Sequence, residues 1–485
     1  MNIVLMTDEL IYAAVIIMVM FLDFFVDRKK IIGWFFTAAT FALLVFMILD
    51  KFYGITGRQA GVLWNGSFLW DDMAWFAKVV FLTGAFFAGL MSIDTITVRK
   101  KYTGAYYMIL GASTLGMMFL ASSRELITMY VALELATISL YALAAFKKDD
   151  MSLEGGMKYI ILGAFSSGLL LYGLSLVYGA TGTTYLDMIM ISVSGGGANM
   201  PVLVIGMIFI LLGIGFKLSM VPMHMWTPDV YQGAPMPITA FISVASKAAG
   251  FIFAVRVFSY GFINFKVVMS EPVWVPIVAV LAFLTMTIGN LIAIPQKNIK
   301  RLLAYSSISQ AGYILVGFVG ASVIGISAVL FYLMAYTFTN IAAFAVLAVV
   351  EKSTGSNEID SYSGLARRQP VLALALLAAL LSLAGIPPLV GFAGKVYLFY
   401  AAMEKGFLWL VIAGALNSTI SLYYYLLVLK RMYIWDKKEE NPPKIEVPMT
   451  IRIILISTIA AMLIFGVLPG ILVDLTLEAA LGLFR

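Results

Sequence analysis

Residues 201–224 read Pro201-Val-Leu-Val-Ile-Gly-Met-Ile-Phe-Ile-Leu-Leu-Gly213-Ile-Gly215-Phe-Lys217-Leu-Ser-Met-Val-Pro222-Met-His224. No charge interrupts Pro201 to Phe216. A helix of about 20 apolar residues crosses about 30 Å of hydrocarbon at about 1.5 Å per residue, so this stretch predicts a membrane span. Yet it closes on a lysine and is then broken by Val221-Pro222. Working outward, comparable apolar blocks fall at 10–26, 31–49, 73–92, 104–122, 125–146, 157–180, 201–224, 236–262, 272–294, 301–320, 322–350, 370–402, 406–432 and 450–469. They predict an all-α polytopic membrane protein of about 14 transmembrane helices, with short loops and no separate soluble domain.

Composition agrees. Of 485 residues, 62% are hydrophobic and only 12% charged, about half the charged share of a soluble globular chain. A soluble helical repeat protein would lack the charge to cover its surface. The chain has no cysteine, which excludes disulfides, iron–sulfur clusters and thiolate metal sites here. One histidine argues against haem or zinc, and no metal site is expected. The net charge of +6 fits basic loops on one membrane face, so no nucleic acid partner is expected; the lipid bilayer is. Asp8 and Glu9 precede the first apolar block with no basic segment before them, so no signal peptide is expected.

With the N-terminus outside, the inner loops collect Arg28, Lys29, Lys30, Arg99, Lys100, Lys101, Lys147, Lys148, Lys297, Lys300, Arg301, Lys352, Arg367, Arg368, Lys430, Arg431, Lys437, Lys438 and Lys444. The outer segments hold only Lys51, Arg58, Arg124, Lys266, Lys405 and Arg485. The positive-inside rule therefore places both termini on the non-cytoplasmic side.

Two blocks are interrupted: the seventh at Gly213 to Pro222, and the twelfth at Gly385-Ile-Pro387-Pro388 through Gly391 to Lys395. Non-helical backbone at membrane depth persists only inside protein or against a wet cavity. The breaks lie five blocks apart, each beside a lysine, which points to inverted repeats. The expected organisation is helices 1–3 (residues 1–103), a first repeat (104–262), a second, inverted repeat (272–434), and helix 14 with an amphipathic tail (450–485).

Ionisable residues within apolar blocks are costly and are functional candidates by default. Glu134 and Lys247 stand about ten residues into blocks five and eight, Lys217 at the break of block seven and Lys395 after the break of block twelve. One carboxylate cannot neutralise three lysines, which favours proton translocation over static pairing, with Glu134–Lys217 as the expected tuning pair. His224 and Lys158 are possible relay residues. Lys78 and Arg256 are expected to snorkel from helix ends, Lys300-Arg301 to anchor a helix end, and Asp229 to cap a helix. Gly195-Gly-Gly197 reads as a flexible turn. No nucleotide-binding fingerprint is present, so the driving force must come from a partner or an ion gradient.

Several segments carry a resemblance to a known family: Gly215-Phe-Lys217-Leu-Ser-Met-Val-Pro222-Met-His224-Met-Trp226-Thr-Pro-Asp-Val-Tyr231-Gln-Gly-Ala-Pro235, Ala245-Ser-Lys247, Asn298-Ile-Lys300-Arg301-Leu-Leu-Ala-Tyr305-Ser-Ser-Ile-Ser309, and Leu383-Ala-Gly385-Ile-Pro387 to Gly391-Phe-Ala-Gly-Lys395. The chain resembles the antiporter-like subunits of respiratory complex I nearly end to end, most of all the subunit N group of bacterial NADH–quinone oxidoreductase. The resemblance implies fourteen helices in two inverted repeats with helices 7 and 12 broken. It implies a Glu–Lys pair at Glu134 and Lys217, a central lysine at Lys247, and a basic residue at Lys395 where one sister subunit has glutamate. The short C-terminus argues against the largest sister subunit. Gln310 stands where relatives can carry histidine, so a titrating relay at that point is not expected. The implied activity is proton pumping coupled to quinone reduction elsewhere in the complex. No cofactor is implied in this chain; flavin and iron–sulfur clusters would lie in partner subunits. The implied partners are other membrane-arm subunits of complex I, and the implied location is the bacterial cytoplasmic (inner) membrane. The alternatives are a cation/proton antiporter subunit of a multi-subunit antiporter and a static scaffold.

Overall fold

The computed structural model describes residues 3–95, 102–196, 198–266, 271–434 and 445–484. Arg99, Lys100, Lys101, Gly197, Lys437, Lys438, Lys444 and Arg485 lie outside the described residues.

The elements follow the apolar blocks. A 3₁₀ turn leads into α1 (Thr7–Phe25) and α2 (Lys30–Tyr53), then a hairpin of β1 (Gly61–Leu63) and β2 (Phe68–Trp70). Next come α3 (Asp72–Thr95), α4 (Thr103–Ala121), α5 (Leu126–Ala144), α6 (Asp150–Thr181), the short α7 (Leu186–Ser194) and α8 (Met200–Leu218). The chain continues as α9 (Thr227–Gly233), α10 (Met236–Phe241), α11 (Lys247–Arg256), α12 (Trp274–Ala293), α13 (Ile299–Val319) and α14 (Val323–Thr354). It ends with α15 (Leu365–Arg368), α16 (Pro370–Ala384), α17 (Val390–Glu404), α18 (Leu408–Tyr433), α19 (Met449–Val467) and α20 (Gly470–Gly482). Thirteen helices among the described residues are long and apolar enough to span a membrane, α10 and α11 counting as one from Met236 to Gly261. The expected twelfth span is the broken pair α16 and α17, each 15 residues long, which makes fourteen.

Burial separates core helices from lipid-facing ones. Over an 18-residue apolar stretch of each, the Met236–Gly261 span is 100% buried and α3, α13 and α14 are 94% buried, against 33% for α6 and α19. On the outer helices, side chains such as Ile161, Phe165 and Leu416 are exposed, as a surface solvated by acyl chains requires. Small residues let neighbouring backbones approach. A Cβ on Gly116 of α4 would meet the Ala132 carbonyl and Ala136 nitrogen of α5; one on Gly289 of α12 would meet the Tyr305 carbonyl and Ser309 nitrogen of α13. The two sets of contacts are the same number of residues apart in the chain.

Both helix breaks close alike. α8 ends at Ser219 in the left-handed region (φ 57°), with the Met220 N–H on the Gly215 carbonyl at 2.8 Å. α16 ends at Gly385 (φ 86°), with the Ile386 N–H on the Leu381 carbonyl at 3.0 Å. This six-to-one closure satisfies carbonyls that would otherwise be orphaned. Gly391 then lets α17 restart, because any Cβ there would collide with the Ser382 carbonyl.

Three expectations are corrected. The β1–β2 hairpin was not foreseen; it pairs Gly61 with Trp70 and ties to the α4–α5 loop through the Leu69 N–H on the Ser122 carbonyl at 2.7 Å. Lys78 and Arg256 do not snorkel: they are 0% and 2% exposed and ion-paired to Glu9 and Asp71. Carboxylates on other segments reach them, which no helix-end position reveals. Asp229 is not a cap but lies inside α9, bound by Lys158 and Arg301. The tail after Pro469 is helical and docked, with the Thr476 and Ser327 hydroxyls 2.9 Å apart.

Candidate functional site

Lys217, Lys247 and Lys395 are 6%, 2% and 4% exposed. Removing an ammonium from water costs several kcal/mol, so each must be compensated. Lys217 occupies the last turn of half-helix α8, and its Nζ has no hydrogen-bond partner among the described residues. The carbonyl end of that half-helix stabilises a cation by about 0.3–1 kcal/mol, up to about 2 when partly buried. Lys395 belongs to α17 but reaches back across the break. Its Nζ donates to the Ala384 carbonyl at the end of α16 (3.1 Å) and to Ser418 Oγ (2.9 Å), and lies 4.3 Å from the centre of the Tyr313 ring. Both breaks thus present a helix carbonyl end to a lysine, although one lysine precedes its break and the other follows it.

Lys247 starts α11, directly after a π-helical turn at Ile242–Ser246. Such turns redirect side chains and recur at functional sites. Its Nζ donates to the Ser307 carbonyl and to Ser307 Oγ, both at 2.6 Å, and Tyr231 Oη lies 3.0 Å from the same hydroxyl. Hydrogen bonds to a charged group are worth about 1.5–3 kcal/mol each, the same order as the burial cost. None of the three lysines has a carboxylate within 4 Å among the described residues.

Glu134 is half-buried and accepts a hydrogen bond from Ser167 Oγ at 2.6 Å; Tyr130 Oη lies 2.9 Å from that hydroxyl. Glu134 and Lys217, the expected tuning pair, make no ion pair within 4 Å. At the spacing shared by the two glycine contacts, Ser307 holds in α13 the place Glu134 holds in α5.

Hydroxyls and amides extend the row from Lys247 towards Lys395. Ser306, beside Ser307, shares a short hydrogen bond with Tyr425. Tyr424 donates to Asn290 Oδ1 at 3.0 Å, and Asn290 Nδ2 donates to Tyr313 Oη at 3.3 Å, the tyrosine against which Lys395 rests. Gln310 donates to the Leu383 carbonyl at 3.0 Å and accepts from Tyr332 at 2.6 Å, so it braces the second break. Apart from Gln310, sequence reading assigned these residues no role, because a hydroxyl inside an apolar helix is unremarkable until another helix brings its partner.

His224 is buried in the turn after the first break, and its Nδ1 has no partner among the described residues. Lys158 lies at the edge, 42% exposed, 2.7 Å from both Glu154 and Asp229. Burial pushes the Asp229 carboxyl up, but hydrogen bonds and charge from Lys158 and Arg301 outweigh it and hold the carboxyl below its ordinary value. Lys300 is fully buried and donates to the Ala234 carbonyl at 2.9 Å, while Arg301 bonds Asp229 and Gln232.

Two interrupted spans, each beside a buried lysine, within a bundle of fourteen spans define a class of polytopic α-helical membrane proteins. The family model described as NADH:quinone oxidoreductase/Mrp antiporter, TM matches residues 123–421. The chain is 42% identical to NADH-quinone oxidoreductase subunit N of Heliobacterium modesticaldum over 100% of both chains. It is 45% identical to the protein of the same name from Moorella thermoacetica over 90% of each chain. It superposes on a chain of respiratory complex I from Thermus thermophilus with bound aureothin, with a TM-score of 0.81 and 31% identity over 96% of this chain and 99% of that one. The chain belongs to this family, in its NADH-quinone oxidoreductase subunit N branch.

Proposed function

We propose that this chain moves protons across the bacterial inner membrane as a subunit of an NADH–quinone oxidoreductase. Quinone reduction in partner subunits drives it. It holds no redox cofactor itself, as its lack of cysteine suggests; flavin and iron–sulfur clusters belong to other subunits. The observation that carries this reading is the set of three buried lysines without carboxylate partners among the described residues, two of them at the helix breaks, with Lys247 held by Ser307 and Lys395 by Ser418 and the Ala384 carbonyl. A static scaffold would pair its charges. The relatives at 42% and 45% identity bear the subunit N name, which favours this reading over a cation/proton antiporter.

In this reading each transfer converts one ammonium to a neutral amine and the next amine to an ammonium. Glu134 favours the charged form of Lys217; weakening that field releases the proton towards Lys247, and the Ser306–Tyr425 and Asn290–Tyr313 groups carry it towards Lys395. Lys158 admits protons at the edge and His224 relays them at the first break. The two breaks and the matched glycine contacts support two inverted units at 104–262 and 272–434, flanked by 1–103 and 450–485. The loop charges support placing both termini on the non-cytoplasmic side.

The test is Lys217→Met in the assembled complex, reconstituted in vesicles. Quinone reduction with fewer protons pumped per electron is the expected result. An assembled variant pumping at the wild-type ratio refutes the reading.

A further inference from the structure

Away from the lysine row, a second group of charges is buried where α1, α2 and α3 meet. Asp8, Glu9 and Lys78 are 0%, 1% and 0% exposed. Lys78 Nζ lies 2.7 Å from Glu9 Oε1 and 3.8 Å from Asp8 Oδ2. Arg58 lies 2.9 Å from Asp8 and 2.7 Å from Asp50. Asp50 also accepts from the Thr56 N–H at 2.6 Å and its hydroxyl at 2.9 Å. Tyr12, one turn along α1, is fully buried, and Ser122 Oγ donates to Glu9 Oε1 at 3.4 Å. Glu9 Oε2 has no hydrogen-bond partner among the described residues.

A path of contacts leads out. Arg256 donates through Nε to the carbonyl of Ala121, the neighbour of Ser122, at 2.7 Å, and pairs with Asp71 at 2.8 Å. Asp71 and Arg256 line a cleft of about 280 Å³ together with Arg124 and Tyr260. Asp72, which pairs with Lys51, lies on the same cleft, and Lys51 also pairs with Glu478. The cleft opens at the end of the bundle that the loop charges place on the non-cytoplasmic side.

The charges do not balance. Among the described residues, Asp8, Glu9 and Asp50 pair only with Arg58 and Lys78, and adding the Asp71–Arg256 pair leaves the same surplus of one carboxylate. The N-terminus of α1 supplies only about half an elementary charge. An uncompensated buried carboxylate is neutralised by taking up a proton, and two adjacent carboxylates share one readily because both cannot ionise cheaply.

We infer that the Asp8–Glu9 pair is a proton-binding site, separate from the lysine row, that holds one proton at neutral pH and exchanges it with the outer cleft that Asp71 lines. The ligand is a proton, and the site does not depend on the proposed role of the lysines.

The experiment is infrared spectroscopy of the assembled complex, wild type minus variant, at the carbonyl stretch of protonated carboxyl groups. Glu9→Gln and Asp8→Asn each leave two carboxylates against two cations, so each loses a band equivalent to one carboxyl. Lys78→Gln adds a second unpaired carboxylate and gains one equivalent. Glu404→Gln, at the exposed end of α17, leaves the band unchanged. Transfer to D₂O shifts the wild-type band within the time of buffer exchange. If Glu9→Gln and Asp8→Asn both retain the full wild-type band in assembled complexes, the site is refuted. A band that does not shift in D₂O refutes the exchange with the cleft. These two variants are near-isosteric and decide the matter even if Lys78→Gln does not assemble.

Discussion

Replacing Lys247 by methionine separates a proton carrier from a structural lock, because the two roles predict opposite outcomes in two assays. The ammonium makes two hydrogen bonds, both to Ser307 at 2.6 Å, and pairs with no carboxylate. At about 1.5–3 kcal/mol each, these bonds supply about 3–6 kcal/mol against a desolvation cost of several kcal/mol. The terms nearly cancel. Methionine fills a similar volume with an apolar stem that has no desolvation cost, and Ser307 Oγ keeps Tyr231 as a partner. The stability of the assembled complex should therefore change by no more than about 2 kcal/mol. A lysine locked in a buried ion pair would instead leave an orphaned charge on removal, at about 3–5 kcal/mol. Thermal unfolding of the purified complex measures this. Quinone-linked acidification of vesicles measures the second outcome: protons per electron fall, since no other ammonium stands between Lys217 and Lys395 in the row. A variant that pumps at the wild-type ratio, or one that is strongly destabilised, refutes the reasoning.

Two further substitutions test the frame around the row. Gly391→Ala drives a Cβ into the Ser382 carbonyl and should destabilise by about 1–3 kcal/mol, lowering the yield of assembled complex on native gels; wild-type yield and melting would show that the second break relaxes freely. Asp229→Asn removes a part-exposed double ion pair and should cost no more than about 1 kcal/mol, less in high salt. The folded Asp229 carboxyl lies below its ordinary value of 3.8, so its contribution is complete above that value and fades as pH falls through the folded one. The difference in melting between wild type and Asp229→Asn should thus be flat from pH 7 to pH 5; a difference that shrinks over that interval would contradict this.

The sequence by itself determined the membrane class, the helix count and both interruptions. These depend on local properties: length, hydropathy, and residues such as Gly385 that a helix cannot carry onward. It also singled out Lys217, Lys247 and Lys395, since a charge inside an apolar block is conspicuous without any partner in view. Only the tertiary structure decided what surrounds each charge. Glu134 accepts from Ser167, and Lys247 binds Ser307, sixty residues away in the chain. Lys78 and Arg256 read as snorkelling ends until Glu9 and Asp71 arrive from other segments. The reason is range. Solvation by lipid acts on each residue alone and is written along the chain, whereas the compensation of a buried charge acts over a few ångströms and depends on which helices meet.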